Sequence, residues 1–214
     1  MAQETRYHSV HSGEKRFAMI KKEFLDAKEN ALKSLQEACI HDKVDEGILP
    51  ILALINGLDG FYTSSSCAGR IVLLEIPRIG DKRKAAFLAI WHRTVTSSEF
   101  IAATTQATSG LLWLLAQSPI FHIGSETLVL ADRLVKTAVS CGFKNSAVKS
   151  TGKKIVVEIA STERIDAPIG RDGSFFCDEQ YLSLLVELSN EVIERSQKKL
   201  GRLAKKLINF SDFP

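Results

Sequence analysis

The spacing of apolar residues predicts helices near both ends of the chain. Apolar side chains recur every three or four positions among lysines and glutamates at Phe17, Ile20, Phe24, Ala27, Ala31 and Leu35. This stripe is typical of an amphipathic helix. A second apolar run predicts another helix, with a proline tolerated near its first turn: Ile48, Leu49, Pro50, Leu52 and Ile55. A last helix is predicted from about Asp178, with its buried face formed by Leu182, Leu185, Val186, Val192 and Leu200.

The middle of the chain has a different pattern, in which short apolar runs are bounded by turn residues. These runs predict strands at 71–76, 85–95, 111–116, 120–123, 146–150 and 154–160. Between them, Ser97 or Ser98 and then Ser125 are predicted to cap two helices, the second ending at Gly142. The segment 165–174, rich in proline and glycine, is predicted to be a loop.

The order of these elements predicts the fold class. Strands and helices do not alternate with regular β-α-β spacing, which favours an α+β fold with a largely antiparallel sheet over a doubly wound, Rossmann-type one. Barrel-like closure and an internal duplication remain open. A single domain is expected over 1–214, with N-terminal helices in 14–58, a sheet core with helices in 61–160 and a C-terminal helix in 178–210.

Composition narrows the functional classes. A formal net charge of +3 means that attraction to nucleic acid must come from where the charges lie. No apolar run approaches about eighteen residues and the first residues are polar, so we expect no membrane segment and an intracellular, cytoplasmic location. The cysteines are far apart and form no C-x-x-C pair, so no metal is expected: Cys39, Cys67, Cys141 and Cys177.

The densest group of small polar side chains is 63–70, which we expect to form a turn before a buried strand. Its hydroxyl and backbone N–H groups can bind an anionic ligand. It is not a phosphate loop of the familiar kind, because it follows a helix and opens a strand. The alternative is that the serines only tighten the turn while Cys67 packs as a small apolar group. The spacing favours neither interpretation.

Two histidines are candidates for acid–base chemistry. His92 and His122 each end a predicted apolar strand, so both are expected at one rim of the sheet. Cys67 would be a nucleophile only with a histidine beside it, since the thiolate is the reactive form. A buried, hydrogen-bonded histidine is the commoner alternative for either residue alone. No third, orienting residue follows from the spacing.

Two groups of residues are candidates for RNA contacts. Lys144, Asn145 and Ser146 follow a predicted helix, where they can reach a phosphate, a base edge or a cofactor; a plain helix-to-strand turn is the alternative. The last helix is basic, which can attract a phosphate backbone but is usually a solvated face. Its basic residues are Arg195, Lys198, Lys199, Arg202, Lys205 and Lys206.

Several of these segments, taken in order, resemble one family. The run from Phe61 to Ile71, Phe-Tyr-Thr-Ser-Ser-Ser-Cys-Ala-Gly-Arg-Ile, is similar to the signature of the wybutosine-synthesizing protein 3 family. The resemblance continues through His92, 118–123, 142–146 and 178–181, and so covers nearly the whole chain. Among the departures, Glu126 stands where a basic residue is expected, which weakens anion binding there.

The resemblance implies an S-adenosylmethionine-dependent methyltransferase. Members methylate a ring nitrogen of the tricyclic guanosine derivative beside the anticodon of phenylalanine tRNA, without a Rossmann-type domain. On this basis the candidate catalytic residues are His92, as proton acceptor, and Cys67, as a ligand contact. The candidate cofactor-binding residues are Ser65, Ser66, Gly69 and Arg70. The candidate RNA-binding residues are Lys144, Asn145, Ser146 and His122.

Two other functions are compatible with the residues. One is a non-catalytic tRNA-binding module, which predicts tRNA binding without cofactor binding. The other is a hydrolase that uses Cys67 with His92 or His122, which predicts rapid alkylation of one thiol. The methyltransferase interpretation requires the 63–70 segment, a rim histidine and the 144–146 corner to lie around one pocket. The oligomeric state is left open.

Overall fold

The computed structural model describes the backbone of residues 2–210 and the side chains of residues 21–210 except that of Lys82. The helices in this part are α1 (Ala2–Ile40), α2 (Leu49–Gly57), α3 (Ser97–Thr104), α4 (Leu128–Ser140) and α5 (Glu179–Ile208), with short 3-10 turns at Glu46–Ile48 and Lys82–Lys84. The strands are β1 (Phe61–Cys67), β2 (Arg70–Ile76), β3 (Ala86–Trp91), β4 (Leu111–Gln117), β5 (Ile120–Ser125), β6 (Ala147–Thr151), β7 (Ile155–Ala160), β8 (Arg164–Arg171) and β9 (Ser174–Phe175).

The strands form two antiparallel sheets. The four-stranded sheet has the order β1-β5-β7-β6, and the five-stranded sheet has the order β3-β2-β4-β8-β9. The predicted α+β class with antiparallel pairing is therefore confirmed. Within the described residues neither sheet closes into a barrel. The β2–β3 hairpin precedes α3, whereas the β6–β7 hairpin follows α4, so the sheets are not two copies of one chain order.

Three pairs of consecutive strands each pass from one sheet into the other. β1 continues into β2, β4 into β5 and β7 into β8. The register between the first two is kept across the junction, since Cys67 pairs with Ile120 and Arg70 pairs with Gln117. The register with the third shifts by one residue, from the pair Ile120–Ala160 to the pair Gln117–Arg164. We call the level of these three junctions, at 68–69, 118–119 and 161–163, the bend. Gly69 occupies it with φ +87°, and an added Cβ would lie 2.8 Å from the carbonyl oxygen of Gln117. A glycine is therefore required where β1 turns into β2.

Each sheet buries one face against helices. In the four-stranded sheet this face packs against α2, α4 and the C-terminal half of α5, through residues that include Phe121, Ile159 and Leu203. In the five-stranded sheet it packs against α3 and the N-terminal half of α5, through residues that include Leu73, Leu114 and Leu185. Helix α5 thus covers both cores from one side, and the other faces of the two sheets lie on the opposite side.

Several predicted elements differ from the observed ones. Residues 61–67, predicted to be largely a turn, form strand β1, because pairing with β5 stabilises a polar strand whose outer side chains are solvated. Residues 164–171 form β8 instead of a loop, so the sheet core extends beyond residue 160. The helix caps are Thr96 and Thr127, not Ser97, Ser98 or Ser125.

The N-terminal helix is confirmed as α1, which begins at Ala2 and not near residue 14. Phe24 is buried and its ring lies 5.4 Å from that of Tyr62 on β1. The side chains of Phe17 and Ile20, predicted for the same stripe, lie outside the described residues. No helix in the described part of the chain combines the length and apolar character that crossing a membrane requires.

A partly buried ion pair fixes the third junction of the bend. Lys199 of α5 is 8 % exposed and donates to Ser161 and Glu163, which lie between β7 and β8. Burial alone raises the pKa of the Glu163 carboxyl, but the Lys199 ammonium and the Ser161 hydroxyl outweigh it and lower the pKa to about 2. The pair therefore ties α5 to the bend while the carboxylate is ionised.

We expect Glu163→Gln to lower the free energy of unfolding at neutral pH by on the order of 2–3 kcal/mol, because it leaves the Lys199 ammonium buried without a counter-ion. Since the folded pKa is below the usual 4.5, this stabilisation is present above that value and is lost as the pH falls toward about 2. Urea unfolding at a series of pH values measures both effects. Glu29→Gln, in an exposed pair with Lys33, is the control and should change stability little; an equally small effect of Glu163→Gln would contradict the prediction.

Candidate functional site

His92 and Asp45 meet at the edge of the bend. His92 follows the end of β3, and Asp45 precedes the 3-10 turn that leads into α2. The Nδ1 atom of His92 lies 3.1 Å from the carbonyl oxygen of Gly69 and 3.3 Å from Oδ2 of Asp45. The same Oδ2 accepts the backbone N–H of Ala68 at 2.9 Å. Because both neighbours of Nδ1 are acceptors, this nitrogen carries the proton and Nε2 presents its lone pair.

Cys67 lies beside this pair. Its sulfur, a carboxylate oxygen of Asp45 and a ring nitrogen of His92 lie within 4.8 Å of one another. Burial raises the pKa of the Cys67 thiol, against weaker opposite effects of the Gly69 backbone and Arg70. The thiol is therefore protonated at neutral pH, which disfavours the hydrolase interpretation. These atom types also suit a metal ion, but the hydrogen bonds of His92 and Asp45 to 68–69 account for their positions without one.

A cavity opens next to His92. Its volume is about 440 Å³, within the range of roughly 300–1,000 Å³ that small-molecule sites occupy. Its walls combine apolar and polar groups, contributed by Asp45, Glu46, Ala68, Ile90, Trp91 and Gln197. Asp45 was not among the predicted site residues; its position just before a short helical turn is the only sequence signal that could have indicated it.

His122 lies in the middle of β5, not at a rim. Its Nδ1 is 2.9 Å from the Ser65 hydroxyl, and its Nε2 is 2.9 Å from Oε2 of Glu158. Burial raises the pKa of Glu158, but hydrogen bonds and charges from Lys149 and His122 outweigh it and lower the pKa overall. An ionised Glu158 accepts the Nε2 proton, so Nδ1 accepts from Ser65. The Ser65 oxygen lone pairs are then free for a ligand.

The four predicted cofactor-binding residues are divided between different surfaces. Ser65 lies with His122 on the face of the four-stranded sheet opposite its core. Ser66 lies on the other face, because it pairs with Phe121, whose side chain is in the core. Gly69 has a conformational role at the bend. The Nε of Arg70 donates to Gln117 at 3.1 Å, and its guanidinium lies 5.7 Å from the centre of the Phe87 ring. The other guanidinium nitrogens of Arg70 thus remain available for an anion.

The 144–146 corner lies at the level of the bend, two strands from Cys67. Ala160 pairs with Ile120, which pairs with Cys67. Ser146 donates its hydroxyl proton to the Phe143 carbonyl at 2.7 Å and accepts the Ala160 N–H at 3.2 Å. Its hydroxyl is therefore used by the backbone, contrary to an RNA-binding role. The side chains of Lys144 and Asn145 are exposed.

Half of the basic residues in the row predicted on the last helix are engaged in internal contacts. Lys199 is buried against Glu163, Arg202 donates to the Cys141 carbonyl at 3.1 Å, and Arg195 pairs with Glu191 at 2.6 Å. Lys198, Lys205 and Lys206 are exposed. The row is thus weaker as a phosphate-binding surface than its sequence indicates.

The fold and site together define an antiparallel α+β protein in which a carboxylate-held histidine lies beside a cavity of small-molecule size. A histidine held in this way can accept a proton from a ligand in the cavity. The family profile described as methyltransferase TYW3 matches residues 26–209. The chain belongs to this family.

Individual relatives support this assignment over most of their length. The tRNA(Phe) 7-((3-amino-3-carboxypropyl)-4-demethylwyosine(37)-N(4))-methyltransferase 1 of Pyrococcus horikoshii is 46% identical over 185 residues, which are 86% of this chain and 94% of that protein. The Pyrococcus furiosus protein of the same name is 48% identical over 181 residues, 84% of this chain and 92% of that protein.

Solved structures show the same fold. A Pyrococcus horikoshii protein superposes with a TM-score of 0.84 at 46% identity, covering 87% of this chain and 96% of that one. A hypothetical protein from Aeropyrum pernix has a TM-score of 0.68 at 26% identity, with 79% of this chain and 100% of that chain covered.

The raised pKa of Cys67 predicts slow alkylation. We expect iodoacetamide at pH 7.5 to label the exposed Cys39 well before Cys67, because Cys67 is partly buried and its thiolate is disfavoured. Peptide mass spectrometry over a time course measures the two rates in one sample, with Cys39 as the internal reference. Preferential labelling of Cys67 would revive a nucleophilic role.

Proposed function

We propose that this protein transfers the methyl group of S-adenosylmethionine to N4 of the 4-demethylwyosine base at position 37 of tRNA(Phe), the reaction for which its relatives are named. The observation that carries the proposal is the His92–Asp45 pair beside the cavity at the bend. It supplies a proton acceptor within reach of a small-molecule site in a chain of a methyltransferase family.

The residues around the cavity fit the proposed methyl donor. Ile90 and Trp91 provide apolar surface that suits an adenine ring, and Asp45 and Glu46 provide carboxylates that suit ribose hydroxyls. Arg70 is not in the lining of the cavity, but it follows Gly69 at the bend, and its guanidinium can pair with a carboxylate in a bidentate way that lysine cannot. Bound S-adenosylmethionine supplies an electrophilic methyl group on its sulfonium.

Methyl transfer to a ring N–H requires alignment and removal of one proton. The nitrogen–carbon bond forms as the carbon–sulfur bond breaks, and the proton goes to Nε2 of His92. Asp45 then stabilises the imidazolium, as it already lies 3.3 Å from Nδ1. Holding the reactants in line contributes up to roughly 7–11 kcal/mol, and a general base roughly 10²–10⁴ in rate. Neither contribution requires a covalent intermediate on Cys67.

The direct test uses the whole chain. Titration calorimetry should detect S-adenosylmethionine binding, and incubation with tRNA(Phe) that carries the demethylated base should add one methyl group to that nucleoside, measured by mass spectrometry of digests. Omitting the cofactor is the control. Binding of tRNA with neither cofactor binding nor methylation would replace the proposal with a non-catalytic RNA-binding module.

His92→Ala should lower kcat by roughly 10²–10⁴ while the affinity for S-adenosylmethionine stays within a few-fold of wild type. Single-turnover methylation and calorimetry measure the two quantities. His41→Ala, which removes an exposed imidazole, is the matched control and should keep full activity. Unchanged turnover of His92→Ala would exclude this histidine as the proton acceptor.

A further inference from the structure

The five-stranded sheet has an outer face that α3 and α5 leave open, since these helices pack on its other face. Cross-strand partners share a face, so the register assigns the members of this one. They are Arg70, Val72 and Leu74 of β2, with Gln117, Leu115 and Trp113 of β4, Ile90 and Phe87 of β3, and Arg164, Asp166 and Pro168 of β8. We call this surface the outer face.

The outer face is apolar and partly exposed at its β3 edge. Phe87 is 53% exposed and Ile90 is 42% exposed, whereas Val72 beneath them is fully buried. The Arg70 guanidinium lies over the Phe87 ring. An exposed aromatic ring with a cation beside it, on a sheet face that α3 and α5 do not cover, is an arrangement on which nucleic-acid bases stack.

Positive charge lies at both ends of the outer face. Arg70 is at the bend, next to the proposed methylation site. At the far end, the β2–β3 turn contributes Arg78, Arg83 and Lys84, and Arg171 lines a second cavity with Arg78; the opposing charges there are Asp81 and Asp172. At about 3.3 Å per residue, β2 separates the two basic ends by roughly 25 Å, the length of several stacked nucleotides.

We propose that the outer face binds the single-stranded nucleotides of the anticodon loop that neighbour the methylated base. A base stacks on Phe87, and phosphates lie against the basic β2–β3 turn. This inference rests on the proposed function, because the loop reaches the face only if its modified base is at the bend.

The charges disfavour a second copy of this chain as the occupant. A two-fold contact through the outer face would bring its basic ends toward one another or onto the apolar centre. The acidic residue that the described register places on this face, Asp166, already pairs with Arg164. The exposed ring also favours single strands over a duplex, since paired and stacked bases cannot present a free π-face to a protein side chain.

The test compares two exposed phenylalanines. Phe87→Ala should weaken binding of an unmodified anticodon stem-loop of tRNA(Phe) by roughly tenfold or more. The affinity for S-adenosylmethionine should stay within a few-fold of wild type, because Arg70 keeps its hydrogen bond to Gln117. Phe87→Trp should restore RNA binding. Phe176→Ala, which removes a ring that is 75% exposed elsewhere, should alter neither affinity. Fluorescence anisotropy measures the RNA affinity, and calorimetry measures cofactor affinity.

A second variant tests the basic end. Arg83→Ala should make the salt dependence of RNA binding shallower by about one phosphate contact, a change of roughly 0.7 in the slope of log K against log salt. Wild-type RNA affinity in Phe87→Ala, with normal methylation, would overturn the inference and leave the proposed function intact. A change of sedimentation mass in Phe87→Ala without a change in RNA affinity would overturn it in favour of a second copy. Absence of cofactor binding and methylation in the wild type would instead count against the proposed function.

Discussion

The passage of three strands from one sheet into the other creates the bend around which the candidate site lies. Residues 68–69 join β1 to β2 and have no partner in the strand pairing of either sheet. Their backbone groups bind side chains instead: the Ala68 N–H donates to Asp45, and the Gly69 carbonyl lies against His92. The acid–base pair is thus held by the backbone of the bend itself. A side chain at Gly69 would contact the neighbouring strand and displace the carbonyl that positions His92.

Helix α5 makes this bend rigid. It contributes to both hydrophobic cores, so the two sheets cannot change their relative angle without exposing apolar surface on one of them. At the level of the bend, its buried Lys199 binds Glu163, and Gly142 lies against the aliphatic part of the same lysine. Such a rigid frame suits a reaction whose acceleration comes mainly from alignment, since small displacements of the reacting atoms are costly.

The sequence predicted the elements whose apolar periodicity is strong, such as α1, α4, α5 and the strands around Leu73 and Leu114. It did not predict β1 as a strand, because Ser64 and Ser65 are stabilised by cross-strand pairing that no local pattern reveals. The sequence left open whether His92 or His122 lies beside Cys67, and the structure has His92 there. Asp45 could not be found, since it reaches the site through a contact 23 residues distant in the chain. The split of Ser65 and Ser66 between two faces likewise follows only from the register.

A Rossmann-type fold binds its ligands at one point of the sheet, where the strand order reverses. In this protein the polar groups that could bind ligands lie on different surfaces of the two sheets. The cavity and His92 lie at the edge of the bend. The hydrogen-bonded Ser65, His122 and Glu158 lie on the face of the four-stranded sheet opposite its core. Phe87 and Arg70 lie on the outer face of the five-stranded sheet. Because α5 covers the opposite side of both sheets, a large substrate approaches these groups from the outer side, where α1 packs on β1 through Phe24 and Tyr62 but the five-stranded sheet is not packed against α3 or α5. A flat, open surface of this kind suits a loop presented by a folded RNA, whereas a deep cleft would admit only its extruded base. The cavity at the edge then has to accommodate no more than a cofactor, which agrees with its modest volume of about 440 Å³.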